Sequence, residues 1–154
     1  MVSFWLLYAF GDVTRFRLKD FCQNVHVTPA ARLKYGGYVD VSLLENITRG
    51  RVAVNTRVDD DLWRSVRDVF TDPYFAPLMA TDFNRIPSTF IATVERDVLT
   101  SEGLAYVDRL KRAGVGVQHR HYNGSHGDLM HTFFDATNMV TEVSQFIKAN
   151  LGVG

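Results

Sequence analysis

Between Thr89 and Tyr122 the hydrophobic period of the chain changes twice, and no other feature of the sequence narrows the fold as much. Thr89-Phe-Ile-Ala-Thr-Val94 is a short run rich in β-branched residues, the composition of a strand buried on both faces. Leu104, Val107, Leu110 and Ala113 then recur by threes, with Asp108, Arg109, Lys111 and Arg112 left for solvent, which predicts a helix stopped by Gly114. Val115 to Tyr122 alternates and follows at once. Strand, helix and strand in this order make a parallel pair through a right-handed crossover. Beyond Asn123-Gly124 and Ser-His-Gly, the residues Met139, Val140, Val143, Phe146 and Ile147 mark one face of a closing helix.

Residues 86–154 therefore read as β, α, β, α, and the fold class as α/β. Two parallel strands alone cannot cover both faces or hide both edges, so this tail is expected to be the end of a larger structure. The strand around Phe90 to Val94 is expected to offer an edge that invites pairing or aggregation.

Residues 1–85 lack a clean period and read as a separate segment of short helices joined by irregular loops. Asp59 to Asp61 can cap and charge a helix N-terminus, with Leu62, Val66 and Phe70 on one face and an end before Thr71-Asp-Pro73. The apolar opening Met1 to Phe10 has no basic leader and is too short to cross a bilayer, so it is read neither as a signal peptide nor as a membrane span.

Composition removes several function classes. Seventeen Lys and Arg balance seventeen Asp and Glu, so no global field draws the chain to nucleic acid, and Arg15, Arg17 and Lys19 read as a solvated face. A single cysteine, Cys22, excludes an intrachain disulfide and a thiolate zinc site, and it has no neighbouring base to make it a nucleophile. His119 and His121 share a strand face and His126 and His131 follow, a spacing that raises a metal cluster, but no carboxylate or thiol spacing reinforces it. The acceptor sequons at Asn46 and Asn123 matter only in a secretory context.

The chemistry-bearing residues are Asp97, just beyond the first strand, and His126, just beyond the second. In an open α/β sheet the loops at the carboxyl ends of parallel strands share one edge, where ligands bind. An Asp and a His placed there can form the orienting half of a nucleophilic triad. The plainer alternative makes Asp97 a cap of the following helix and His126 a loop histidine.

Ile91-Ala-Thr-Val-Glu-Arg-Asp97-Val-Leu-Thr-Ser-Glu-Gly103, the helix to Gly114, and His121-Tyr-Asn-Gly-Ser-His126-Gly together resemble the end of the arylacetamide deacetylase family. These are esterases of the hormone-sensitive-lipase-like branch of the α/β-hydrolases. The resemblance is strong from about Phe75 onward, where Phe75-Ala-Pro-Leu78 resembles an apolar family stretch, and weak over the Phe4-Trp5 start. It implies the C-terminal part of an α/β-hydrolase fold, with Asp97 as the triad acid and His126 as the triad base. It implies a lipophilic ester or amide substrate, no cofactor, and an endoplasmic-reticulum enzyme held from its lumenal side by an anchor that this sequence does not display. Phe4, Trp5, Tyr8, Phe10 and Phe16 would by the same analogy line a pocket or cap, or serve simply as core.

The sequence departs from the family at one decisive point. Its serines are Ser3, Ser42, Ser65, Ser88, Ser101, Ser125 and Ser144, and none stands in a Gly-x-Ser-x-Gly elbow; a His-Gly-Gly oxyanion segment is also missing. Ser125 is too close to His126 along the chain to act as a nucleophile presented from another strand. The chain alone is therefore expected to be inactive towards esters, as a fragment of an esterase or, alternatively, as a non-catalytic protein that binds a lipophilic ligand or an esterase partner.

Overall fold

The computed structural model describes residues 2–13, 16, 18–39, 57–127 and 137–152, and it divides into two compact units, Met1–Thr81 and Asp82–Gly154. Asn46, His131, Arg15 and Arg17 lie outside the described residues.

The first unit is helical: α1 (Val2–Phe10), α2 (Leu18–Cys22), α3 (Pro29–Tyr35) and α4 (Asp60–Phe70), with single 3-10 turns at Gly36–Tyr38 and Pro77–Met79. Capping chemistry fixes two of the starts. Thr28 Oγ1 accepts from the Ala31 N–H at 3.1 Å ahead of Pro29, and Asp59 Oδ1 accepts from the Leu62 N–H at 2.9 Å. The sequence reading of α4 holds, since Val66 is fully buried with Leu62 and Phe70 packed around the same core. That core joins Leu6, Phe21 and Val66, and Phe10, Phe16 and Trp63 pack against it. Phe10 and Phe16 are thus core residues, whereas Trp5 and Tyr8 lie against Phe75. Between Phe21 and Phe70 sits His26, its ring 4.9 Å from one and 5.5 Å from the other. Burial lowers its pKa to about 4, so the ring is neutral at physiological pH. Among the described residues its Nδ1 has no hydrogen-bond partner.

The second unit contains β1 (Thr89–Arg96), α5 (Thr100–Arg112), β2 (Val117–Ser125) and α6 (Thr137–Leu151), in the order expected. β1 and β2 are parallel and run in register from Thr89 opposite Val117 to Val94 opposite Tyr122. Side-chain alternation sends Thr93, His119 and His121 towards α5, and Phe90, Arg120 and Tyr122 towards α6. On the α6 side the Phe90 and Phe146 rings are 5.6 Å apart. Glu142 Oε2 there accepts from Arg120 Nε at 2.8 Å and from the Tyr122 hydroxyl at 3.0 Å.

Three local expectations change. β1 is not buried on both faces: Thr93 alone is buried, while Ala92 in mid-strand and Glu95 and Arg96 at the end are exposed. Ala113 is exposed, and the inner face of α5 consists of Ala105, Val107 and Leu110. On α6, Met139 is buried while Val140 and Ile147 face outward. Gly114 does stop α5, with φ +79° and the paired bonds of a Schellman turn, Gly114 N–H to Lys111 O at 3.0 Å and Val115 N–H to Leu110 O at 3.0 Å. Among the described residues no helix is long and apolar enough to cross a membrane.

Candidate active site

The carboxyl ends of β1 and β2 meet where the register breaks. Val94 faces Tyr122 but Arg96 faces Ser125, so β2 takes three steps where β1 takes two. One extra residue on β2, at Asn123-Gly124, bends and twists the strand just before His126. Gly127 follows with φ +81°, a conformation in which a side chain would be strained.

This geometry brings the two predicted residues together. His126 Nδ1 lies 3.0 Å from Asp97 Oδ1 across 29 residues of sequence. The two partners differ in exposure, with 18% of the Asp97 side chain open to solvent against 63% of His126. Asp97 Oδ1 also accepts from the Leu99 N–H at 2.8 Å. Desolvation pushes the Asp97 carboxyl up, but the Leu99 N–H and the His126 ring outweigh it and hold the carboxyl below its ordinary value. An ionised carboxylate can only accept, so Nδ1 carries the ring proton of a neutral His126 and Nε2 keeps a lone pair. A neutral ring in that tautomer can take a proton from a hydroxyl.

Neither reading of Asp97 excludes the other. The carboxylate does organise the approach to α5, through the Leu99 turn, while Leu99 itself is the N-cap residue and has no side-chain capping bond. The helix start is also tied back to the strand by Thr100, whose hydroxyl donates to Val94 O at 2.6 Å. α5 sits close to β1 because Gly103 has no side chain: a Cβ there would lie 2.9 Å from Thr93 Cγ2.

Ser125 points elsewhere. Its Oγ accepts from Arg96 Nε at 3.2 Å, and the His126 N–H donates to Arg96 O at 3.2 Å. No local pattern in the sequence singles out Arg96, because the parallel register with its extra residue is what puts it opposite Ser125. His119 and His121 converge on one atom, with Thr93 Oγ1 2.9 Å from His119 Nε2 and 2.9 Å from His121 Nδ1. Burial, then the neighbouring His121, lowers the His119 pKa. Among the described residues no group of three or more His, Cys, Asp or Glu side chains is placed to hold a metal ion.

A family model described as alpha/beta hydrolase fold matches residues 38–134. The chain belongs to that family. Within it, similarity runs to the arylacetamide deacetylase branch over most of the sequence. Arylacetamide deacetylase of Oryctolagus cuniculus is 33% identical over 138 residues, which cover 87% of this chain and 34% of the relative. That of Mus musculus is 44% identical over 130 residues, 82% of this chain and 32% of the relative. Neutral cholesterol ester hydrolase 1 of Bos taurus is 28% identical over 141 residues, 86% of this chain and 34% of the relative. The chain spans about a third of the length of these relatives. No solved structure matches it significantly. The fold class is that of a partial α/β-hydrolase: a two-stranded parallel sheet flanked by helices.

Proposed function

We propose that Asp97 and His126 are the acid and base of a serine-dependent hydrolase of carboxylic esters or arylamides. The observation that carries this reading is the 3.0 Å contact from His126 Nδ1 to Asp97 Oδ1 at the carboxyl ends of two adjacent parallel strands. Asp97 fixes the tautomer and stabilises the imidazolium as it forms, and His126 Nε2 takes the hydroxyl proton as the serine oxygen attacks the carbonyl carbon. The same proton then goes to the departing alkoxide or amine. Water enters by the reverse sequence, with His126 as base again, and releases the acid and the free serine.

The serine comes from outside this sequence, which has no Gly-x-Ser-x-Gly turn. The names of two relatives, an arylacetamide deacetylase and a cholesterol ester hydrolase, support a lipophilic ester or amide as the substrate class. An apolar acyl or aryl group is therefore the expected recognition element.

The test is fluorophosphonate labelling of the native protein, captured from its source with an antibody to the α6 region and followed by intact mass. A labelled species much heavier than this chain, whose labelling disappears in a His126→Ala variant, is the expected result. An unlabelled species of this chain's own mass would overturn the reading and leave a short protein that binds a ligand or partner without catalysis.

A further inference from the structure

The dipeptides Arg96-Asp97 and Ser125-His126 are cross-joined by three hydrogen bonds. The His126 N–H donates to Arg96 O at 3.2 Å, Arg96 Nε donates to Ser125 Oγ at 3.2 Å, and His126 Nδ1 meets Asp97 Oδ1 at 3.0 Å. The first two share a residue, so Arg96 holds the histidine loop once through its backbone and once through its side chain. Both bonds lie immediately after the extra residue on β2, where the regular ladder no longer fixes the strand.

We propose that Arg96 is a positioning residue for His126, and that Ser125 serves as its acceptor. The inference deepens the hydrolase reading and rests on it for its consequence in catalysis. Physically, the side chain of His126 is 63% exposed, so the direction of Nδ1 depends strongly on the backbone that carries it. A guanidinium suits this task because its Nε–H projects from a planar fork and cannot lose its proton. Without the bond to Ser125 the turn loses its side-chain tie to Arg96, and the ring more often samples orientations in which Nδ1 leaves Asp97.

The readout is the tautomer of His126, taken from long-range proton–nitrogen correlation spectra of the intact chain at a pH where the ring is neutral. The wild type is expected to show the Nδ1–H form in excess. Arg96→Met, which keeps the aliphatic stem and removes the donor, should reduce that excess by roughly three- to tenfold, the factor matching one lost hydrogen bond. Ser125→Ala should reduce the excess in the same direction, and the two changes together should be less than additive, because both remove the Arg96 Nε to Ser125 Oγ bond. Ser125→Ala also serves as the milder probe if Arg96→Met unfolds. Unchanged tautomer populations in both variants would overturn the positioning role and leave the hydrolase reading untouched. A wild type without any excess of the Nδ1–H form would instead count against the Asp97–His126 pair itself, and with it both proposals.

Discussion

Gly103 lies against Thr93 so closely that a methyl group on it would fall 2.9 Å from Thr93 Cγ2, inside any tolerable carbon contact. The helix that begins after the Leu99 turn is thereby pressed onto the strand that leads into Asp97. Thr93 cannot yield easily, because it is buried and β-branched and its hydroxyl is held by two histidines.

Gly103→Ala should for that reason destabilise the second unit despite improving helix propensity. Overpacking costs typically about 1–3 kcal/mol, against at most about 1 kcal/mol gained from replacing glycine within a helix. Urea unfolding of the two proteins checks this, and a variant as stable as wild type would mean that α5 can slide away from β1 at no cost.

Asp97→Asn should separate the two duties of that side chain. An asparagine Oδ1 still accepts from the Leu99 N–H, so the start of α5 and the overall stability should change little. The Leu99 and His126 bonds fall on the same Oδ1, so the asparagine still presents an oxygen to His126 Nδ1 but removes the negative charge that stabilises the imidazolium, and turnover by the proposed hydrolase should fall by up to about four orders of magnitude. Circular dichroism together with ester-hydrolysis rates distinguishes the outcomes. Lost folding would make Asp97 chiefly structural.

The first unit should be sensitive to acid through His26. Its folded pKa is about 4 against an ordinary value of 6.5, so the unfolded chain binds the proton more readily. The stabilising contribution is complete above pH 6.5, declines as the pH falls towards about 4, and is exhausted below that. A shift of this size corresponds to a loss on the order of 3 kcal/mol. Denaturant midpoints across this range should drop for the wild type and stay flatter for His26→Leu; parallel curves would refute the assignment.

Glu142 makes the polar contacts between α6 and β2. Glu142→Gln keeps the shape but removes the charge that receives Arg120 and the Tyr122 hydroxyl, both within 3.0 Å. Because Arg120 and Glu142 are partly solvated, the loss should be modest, about 0.5–1 kcal/mol. Amide exchange along α6 should accelerate while exchange in α5 is unaffected. Equal acceleration in both helices would mean that the unit opens as a whole.

The sequence made the main elements legible because their signals are local. Asp59 announces α4 by standing three residues before Leu62, whose N–H it accepts, and Gly114 announces the end of α5 by adopting a backbone that other residues resist. Asp97 and His126 stand out because strand ends in a parallel sheet converge and because the motifs around them resemble the arylacetamide deacetylase family; element order alone leaves a helix cap and a loop histidine equally open. Arg96, Thr93 and the true burial of β1 were not legible in the same way. Each depends on which residue faces which across the two strands, and the extra residue at Asn123-Gly124 shifts that pairing where it matters most. The inner face of α6 was misjudged at Val140 and Ile147 because an apolar stripe does not reveal how much of it the neighbouring strands can reach.

Thr93 owns one hydroxyl proton and two imidazole neighbours at equal distance, so it can satisfy only one nitrogen that lacks a hydrogen. His119 Nε2 and His121 Nδ1 therefore cannot both be bare while both bonds last. The protonation patterns of the two rings are correlated, like a pair of switches wired so that one of them is always on, and the wire is a single oxygen beneath α5.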